Sequence, residues 1–169
     1  MTVNATLTLA LAGSVSGAND LAAVAATFAE LTKRQQIITA GTGVNQCDKA
    51  FMDTRTLAAS ATENLDLAGA LTDVLGAALT FAKIRAIMVF AKTDNVNDVV
   101  IGGAASNTFV GMFNDATDKI RVKPGGAFVW FAPQDGATVT AGTGDILLVA
   151  NSGGGTPVSY DIVVLGTSS

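Results

Sequence analysis

The residues able to carry chemistry are few and scattered. His is absent and Cys occurs once, at Cys47. This excludes an imidazole base, a His-ligated metal and an intrachain disulfide. A nucleophilic thiolate usually has a His partner to activate it, and Cys47 has none. The remaining options for Cys47 are a small buried hydrophobe or an exposed thiol, and the sequence leaves both open. Carboxylates are the other candidates. Asp94-Asn-Val-Asn-Asp98 and Asn114-Asp-Ala-Thr-Asp118 are oxygen-rich loops that could ligate calcium. Neither has the alternating ligands, the Gly at the sixth position or the distal Glu of an EF-hand. Two Asp side chains facing a cleft would suit sugar hydrolysis. No paired motif supports that, and the chain holds only two Glu residues. Polar turns, in which Asp and Asn bond to nearby backbone, are the preferred reading of both loops.

Glycine-rich segments invite a phosphate-binding reading and fail it. Gly13 to Gly17 lacks the Lys-Ser/Thr of a P-loop, and no GxGxxG opens a helix after a strand. Gly153 to Gly155 fits a hairpin or crossover loop. The pentapeptide Thr-Ala-Gly-Thr-Gly occurs at Thr39 to Gly43 and again at Thr140 to Gly144, but the flanks differ, so two similar turns are expected. Phe128, Trp130 and Phe131 form the one aromatic cluster. Phe128 and Trp130 share a strand face, with Phe131 opposite. They could stack on a sugar or a base, but large aromatics usually pack a core, and that is the expectation here. No catalytic, cofactor-binding or metal-ligating residue is assigned, no cofactor is expected, and the chain is expected not to be an enzyme.

Charge narrows the partners. Ten basic against fourteen acidic residues give a net charge of −4, whereas nucleic-acid binding normally needs a basic excess. The only basic pair, Lys33-Arg34, is read as a solvated turn. Mean hydropathy is high at +0.44. Yet no run is long and apolar enough for a membrane helix. No basic residue precedes Lys33, which argues against a secretion signal and makes Asn4-Ala-Thr6 a coincidental glycosylation sequon. Neither nucleic acid nor membrane is an expected partner.

The elements that would position these residues are short β-rich runs separated by Gly, Asn, Asp and Pro. Thr2 to Ala12 alternates as a strand, and Gly13 to Asp20 reads as a loop. Leu21 to Leu31 is Ala-rich and fits a helix or an extended arm. Gln35 to Ala40, Ile84 to Ala91, Val99 to Ile101, Lys119 to Lys123, Ala127 to Phe131, Ile146 to Ala150 and Ile162 to Leu165 read as strands. Ala70 to Ala82 fits a short helix or a turn. Pro133 to Gly136 fits a type I turn opened by Ala132. The spacing predicts an all-β antiparallel β-sandwich, jelly-roll-like, with an extended N-terminal arm. Residues 1–47 are expected to form the arm and first strands, and residues 48–169 the sandwich domain.

Two kinds of strand stand out. Lys119 to Lys123 alternates strictly, with Ile120 and Val122 inward and three cations outward. Ile84 to Ala91, Ile146 to Ala150 and Ile162 to Leu165 are apolar on both faces. A two-layer sandwich leaves one face of each sheet wet, so something must cover those outer faces. The N-terminal arm, a neighbouring subunit or the chain's own loops could do so. A homo-oligomer is therefore expected.

The stretch Asp48-Lys-Ala-Phe-Met-Asp-Thr-Arg-Thr-Leu-Ala-Ala-Ser-Ala-Thr-Glu-Asn-Leu-Asp-Leu-Ala-Gly69 resembles one found in structural proteins of tailed-phage virions. So do Gly102-Gly-Ala-Ala-Ser-Asn-Thr-Phe-Val-Gly111 and Ser159-Tyr-Asp-Ile-Val-Val-Leu-Gly166. The likeness covers most of Asp48 to Ser169 in order and spacing, and residues before Asp48 match more loosely. It carries no catalytic signature. It implies a capsid decoration or cement protein, on the virion capsid surface and made in the host cytoplasm, that binds the lattice of the major capsid protein. Such proteins are often β-sandwich or jelly-roll domains with an arm reaching a neighbour. The alternative is a head-fibre or tail-tip module that binds host glycans, with Phe128 to Phe131 and the loops Asp94 to Asp98 and Asn151 to Gly155 as its sugar site. A virion glycosidase and a tail-tube or neck protein are weaker alternatives.

Overall fold

The computed structural model describes residues 2–18, 23–69 and 71–169. The chain is all-β, with no helix among the described residues. Two long strands come first, β1 (Ala5–Ala18) and β2 (Ala23–Ala40), and they pair antiparallel with each other. The short β3 (Gln46–Cys47) adds to the end of β2 in parallel. The remaining strands are β4 (Lys49–Leu57), β5 (Thr62–Asp66), β6 (Leu71–Thr72), β7 (Ala78–Leu79), β8 (Lys83–Ala91), β9 (Val99–Ile101), β10 (Ile120–Val122), β11 (Ala127–Phe131), β12 (Ala137–Thr138), β13 (Ile146–Asn151) and β14 (Val158–Thr167).

Eight of these build a sandwich. One sheet has the order β11-β8-β14-β4, with β12 also paired to β8, and the other has the order β10-β9-β13-β5. The pairing is nested. In chain order the first of the eight strands pairs with the last, β4 with β14. The second pairs with the seventh, β5 with β13, and the third with the sixth, β8 with β11. The two in the middle, β9 and β10, pair with each other. Every one of these pairs is antiparallel.

The period of two explains the core. Along β14, Val158, Tyr160, Ile162 and Val164 are buried, and along β8 so are Ile87, Val89 and Ala91. They meet Leu65, Val99, Ile101, Val122, Leu147 and Val149 from the second sheet in one cluster. Val122 and, partly, Ile120 point inward as their alternation predicted, and Leu65 and Leu67 are buried with them.

Several local expectations change. Gly13 to Ala18 is strand and not loop, because β2 supplies ladder partners from Phe28 to Ala23. A register shift between Leu11 and Gly13 marks the one irregularity of the pair. Leu21 to Leu31 is extended from Ala23 onward, since pairing with β1 overrides the helical preference of an Ala-rich segment. Its first two residues, with Asn19 and Asp20, lie outside the described residues. Of the helix and the turn that Ala70 to Ala82 allowed, the structure has the turn, with Leu71–Thr72 and Ala78–Leu79 paired as a short hairpin and Ala70 outside the described residues. The Asp73 carboxylate accepts from the backbone N–H of Leu75 and Ala77, and Gly76 has φ +82°, so the chain turns before a helical turn can close. The Ala132 carbonyl accepts from Gly136 and not from Asp135, so the turn holds one residue more than a type I turn.

Candidate interaction surface

The residues singled out for chemistry are occupied by local structure. In Asn114 to Asp118, the Asp118 carboxylate accepts from the N–H of Asn114 and Asp115, and the Asp115 carboxylate accepts from Thr117 N–H and Oγ1. The bonds to Thr117 hold the Asp115 carboxyl below the ordinary range. Asp98 is buried and accepts from Lys123 at 3.0 Å and Arg121 at 3.2 Å. Two of the three cations of the Lys119 to Lys123 strand thus bind one carboxylate. Among the described residues no three His, Cys, Asp or Glu side chains converge as metal ligands. Gly13 and Gly17 lie in the β1 ladder and form no phosphate loop. Lys33 and Arg34 lie within β2 and not in a turn. The two Thr-Ala-Gly-Thr-Gly segments differ. Thr39 and Ala40 end β2, whereas Thr140 to Gly144 is a tight turn closed by the Thr140 and Gly144 backbones.

The proposed sugar-site elements come together only in part. The loops Asp94 to Asp98 and Asn151 to Gly155 do meet. Asn97 donates to the carbonyls of Gly153 and Thr156, and Ser152 Oγ accepts from Asp98 N–H. Phe128 and Trp130 pack against the main core instead, and Phe131 packs on the opposite face beneath the arm.

Sequence reasoning missed a polar link between the sheets. Tyr160 of β14 is fully buried and donates its hydroxyl to Glu63 Oε1 of β5 at 2.5 Å. Glu63 Oε2 accepts from Arg55 Nε at 2.7 Å, and Arg55 also reaches Asp53 at 2.7 Å. Burial first, then the bond to Glu63, raises the Tyr160 hydroxyl far above its ordinary value. Both Glu63 oxygens are thereby occupied, which suits a structural clasp better than proton transfer. On the outer side of β14, Lys92 and then Thr54 hold the Asp161 carboxyl below the ordinary range.

The surface that stands out is the outer face of the β11-β8-β14-β4 sheet. Its register sets side chains in rows across four strands. The first row is Ala50, Leu165, Ala86 and Phe131, and the second is Met52, Val163, Met88 and Val129. The third is Thr54, Asp161, Phe90 and Ala127. The first row is covered by the base of the hairpin. Val3, Ala5 and Ile38 pack on Ala50, Ala86, Phe131 and Leu165, with Cys47 buried among them. The arm therefore does cover part of a strand face that the sequence marked as apolar on both sides. The second row lies open, with Met52 at 49% and Val129 at 42% exposure. Met52, Val163 and Met88 of this row, with Ala50 and Leu165 of the first, line a groove of about 480 Å³ together with Thr2 to Ala5 and with Val74 and Leu75.

Leu9 and Leu11 are each 64% exposed and lie on the β1 face that carries Ala5. At about 3.3 Å per residue, the 18 residues of β2 span about 60 Å, longer than the sheet is wide.

Cys47 reports on this junction. Burial pushes its thiol up to about 11, against the opposing pull of the Arg85 charge. At neutral pH the native thiol should resist a disulfide reagent, with full labelling on unfolding. Stoichiometric labelling of the folded protein within seconds would refute the buried position.

No protein-family model matches the chain, and no curated protein matches it. Among the described residues no helix is long and apolar enough to cross a membrane.

Proposed function

We propose that the protein is a virion structural protein of the capsid decoration or cement type, without enzymatic activity, that binds and stabilises an assembled capsid lattice. The observation that carries this reading is apolar surface on several separate parts of the molecule. Leu9 and Leu11 lie on the projecting hairpin, Met52 and Val129 on the outer sheet face, Leu75 on the β6–β7 turn and Val96 on an end loop. Single exposed hydrophobes are ordinary on a monomer, but the contiguous row of Met52, Val163 and Met88, with Leu75 beside it and an exposed ribbon of Leu9 and Leu11, is surface that a subunit with neighbours uses. The nested strand pairing is also the order expected of a two-Greek-key jelly roll, a fold shared by capsid proteins and lectins. The resemblance of Asp48 to Gly69 and of Ser159 to Gly166 to tailed-phage virion proteins supports the same reading. Such a protein stabilises a lattice by binding the assembled form and not its free subunits, and many copies sum a modest contact into a large effect.

The test combines location with a shortened arm. Antibody-gold labelling of purified virions should mark the head. A second preparation lacks Leu11 to Thr32, the strands being rejoined by Asn-Gly between Ala10 and Lys33, which face each other in the ladder. It keeps Val3, Ala5 and Ile38 in place. It should fold and bind capsids at least about tenfold more weakly, because each copy loses one contact of a multivalent set. Label confined to the tail or a vertex, or unchanged capsid binding, would contradict the reading.

The second reading is a host-binding, glycan-recognising module at a head fibre or tail tip. The meeting of the Asp94 to Asp98 and Asn151 to Gly155 loops favours it. Their polar groups bind each other, and Phe128 and Trp130 are engaged in packing against the core, so the first reading stands ahead. A glycan array with and without calcium separates the two.

A further inference from the structure

We infer that the open groove on the outer sheet face receives the β1–β2 hairpin of a second copy of this chain, and that two copies exchange hairpins reciprocally. The floor of the groove, Met52, Val163 and Met88, continues the row on which each chain's own hairpin base already sits. The seat used by Ala5 and Ile38 therefore extends sideways in the same chemistry, through the half-buried Val163 and Met88 to the exposed Met52. The hairpin presents the matching half. Leu9 and Leu11 repeat the β1 face that Ala5 uses for docking, but they stay exposed. Each chain thus offers one unseated apolar ribbon and one vacant apolar seat beside its seated ribbon. One partner satisfies both, and the exchange closes as a two-fold pair.

The backbone agrees with this pairing. The wall of the groove is Thr2 to Ala5, on the β1 side of the hairpin, and β1 is the edge strand of its sheet. Its outer N–H and C=O groups are free to pair with another strand. Edge strands that must stay single carry charges or prolines, yet Ala5 to Ala18 contains neither. A second hairpin running antiparallel in the groove would place its own β1 against this edge and its Leu9 and Leu11 face down on Met52, Val163 and Met88. The two bodies then lie at opposite ends of a shared ribbon. A two-stranded hairpin alone is marginal in water, and a joined four-stranded layer seated on two sheets is not. This inference engages Leu9, Leu11 and Met52, which the virion reading also draws on. A dimer formed this way leaves Val96 and the remaining surface for a lattice, and sedimentation of the free protein tests it apart from capsid binding.

The experiment uses the full-length chain. Sedimentation at tens of micromolar should give a dimer, consistent with micromolar or tighter affinity. Leu9→Asp with Leu11→Asp should give a monomer, and so should Met52→Asp. Both variants should keep the wild-type circular dichroism, because the changed side chains are exposed. A mixture of separately purified Leu9→Cys and Met52→Cys proteins should form a mixed disulfide on mild oxidation, identified by mass. A wild-type monomer at that concentration would overturn the inference and leave the groove to a lattice subunit. An oligomer that survives both sets of Asp substitutions, or a mixture that gives no mixed disulfide, would overturn it as well.

Discussion

Gly166→Ala should lower the stability of the fold by about 2–3 kcal/mol, as expected for a side chain forced into a filled site. For a chain of this length that is a fall in Tm of roughly 5–10 °C. The cause is a bulge. Along β14 and β8, Leu165 faces Ala86, but Gly166 faces Ile84, so Arg85 is an extra residue in β8. A Cβ on Gly166 would run into the carbonyl oxygen of Lys83, which is backbone and cannot swing aside, and would lie 2.7 Å from Phe81. The bulge could then survive only by separating β8 from β14, the two central strands of the sheet. Urea unfolding at constant m-value would read the loss as a shift of midpoint. A midpoint unchanged from the wild type would show that the sheet absorbs the methyl group and that the bulge is soft.

That bulge also marks where the sequence stopped being readable. The run Ile84 to Ala91 is legible as a strand because Ile87, Val89 and Ala91 alternate with Met88 and Phe90 among β-favouring residues. Regular alternation, however, sends Arg85 to the face of Ile87 and Ile84 to the face of Ala86. The extra residue breaks that parity, so Ile84 joins the main core and Arg85 leaves it. A single cation inside an otherwise uncharged run was the available signal. Its destination depends on Gly166, far along the chain, and no local pattern encodes that.

The arm shows the same division. The alternation of Thr6 and Thr8 with Ala5, Leu7 and Leu9 made β1 visible, while Gly13 to Gly17 looked like a loop because Gly and Ser weaken any strand signal. Only the partner strand makes them extended. The open row on the outer sheet face was foreseeable in outline from strands apolar on both sides, but which row the arm covers follows from register. The Tyr160–Glu63 link lay beyond reach for the same reason, since its residues are nearly a hundred positions apart.

Arg85→Met should cost about 2–3 kcal/mol and should also loosen the hairpin base before the sandwich unfolds. Arg85 is 3% exposed, and the hydrogen bonds of its guanidinium are to backbone carbonyls. It donates to Pro133 at 2.7 Å, to Gln134 and, more distantly, to Thr42 at 3.5 Å. Thr42 belongs to the loop that leads out of the arm, and Pro133 and Gln134 to the turn after β11. The guanidinium therefore ties the arm's exit to the sandwich, beside the Asn45 N–H that also donates to Pro133. Replacing a buried ion by a hydrophobe recovers part of its desolvation cost, which limits the loss. The carbonyls left behind lie on loops and can reach water only if those loops move outward. That movement would uncover Cys47, so thiol labelling of Arg85→Met should speed up at urea concentrations that leave the core intact. Gly166→Ala should accelerate labelling only in step with global unfolding, which separates a lesion of the junction from a lesion of the sheet. Arg85→Lys should rescue little, because a single ammonium cannot fork between Thr42 and Pro133. If Arg85→Met labels no faster than its global stability predicts, the guanidinium supports the core alone and the hairpin is held by Val3, Ala5 and Ile38 without it.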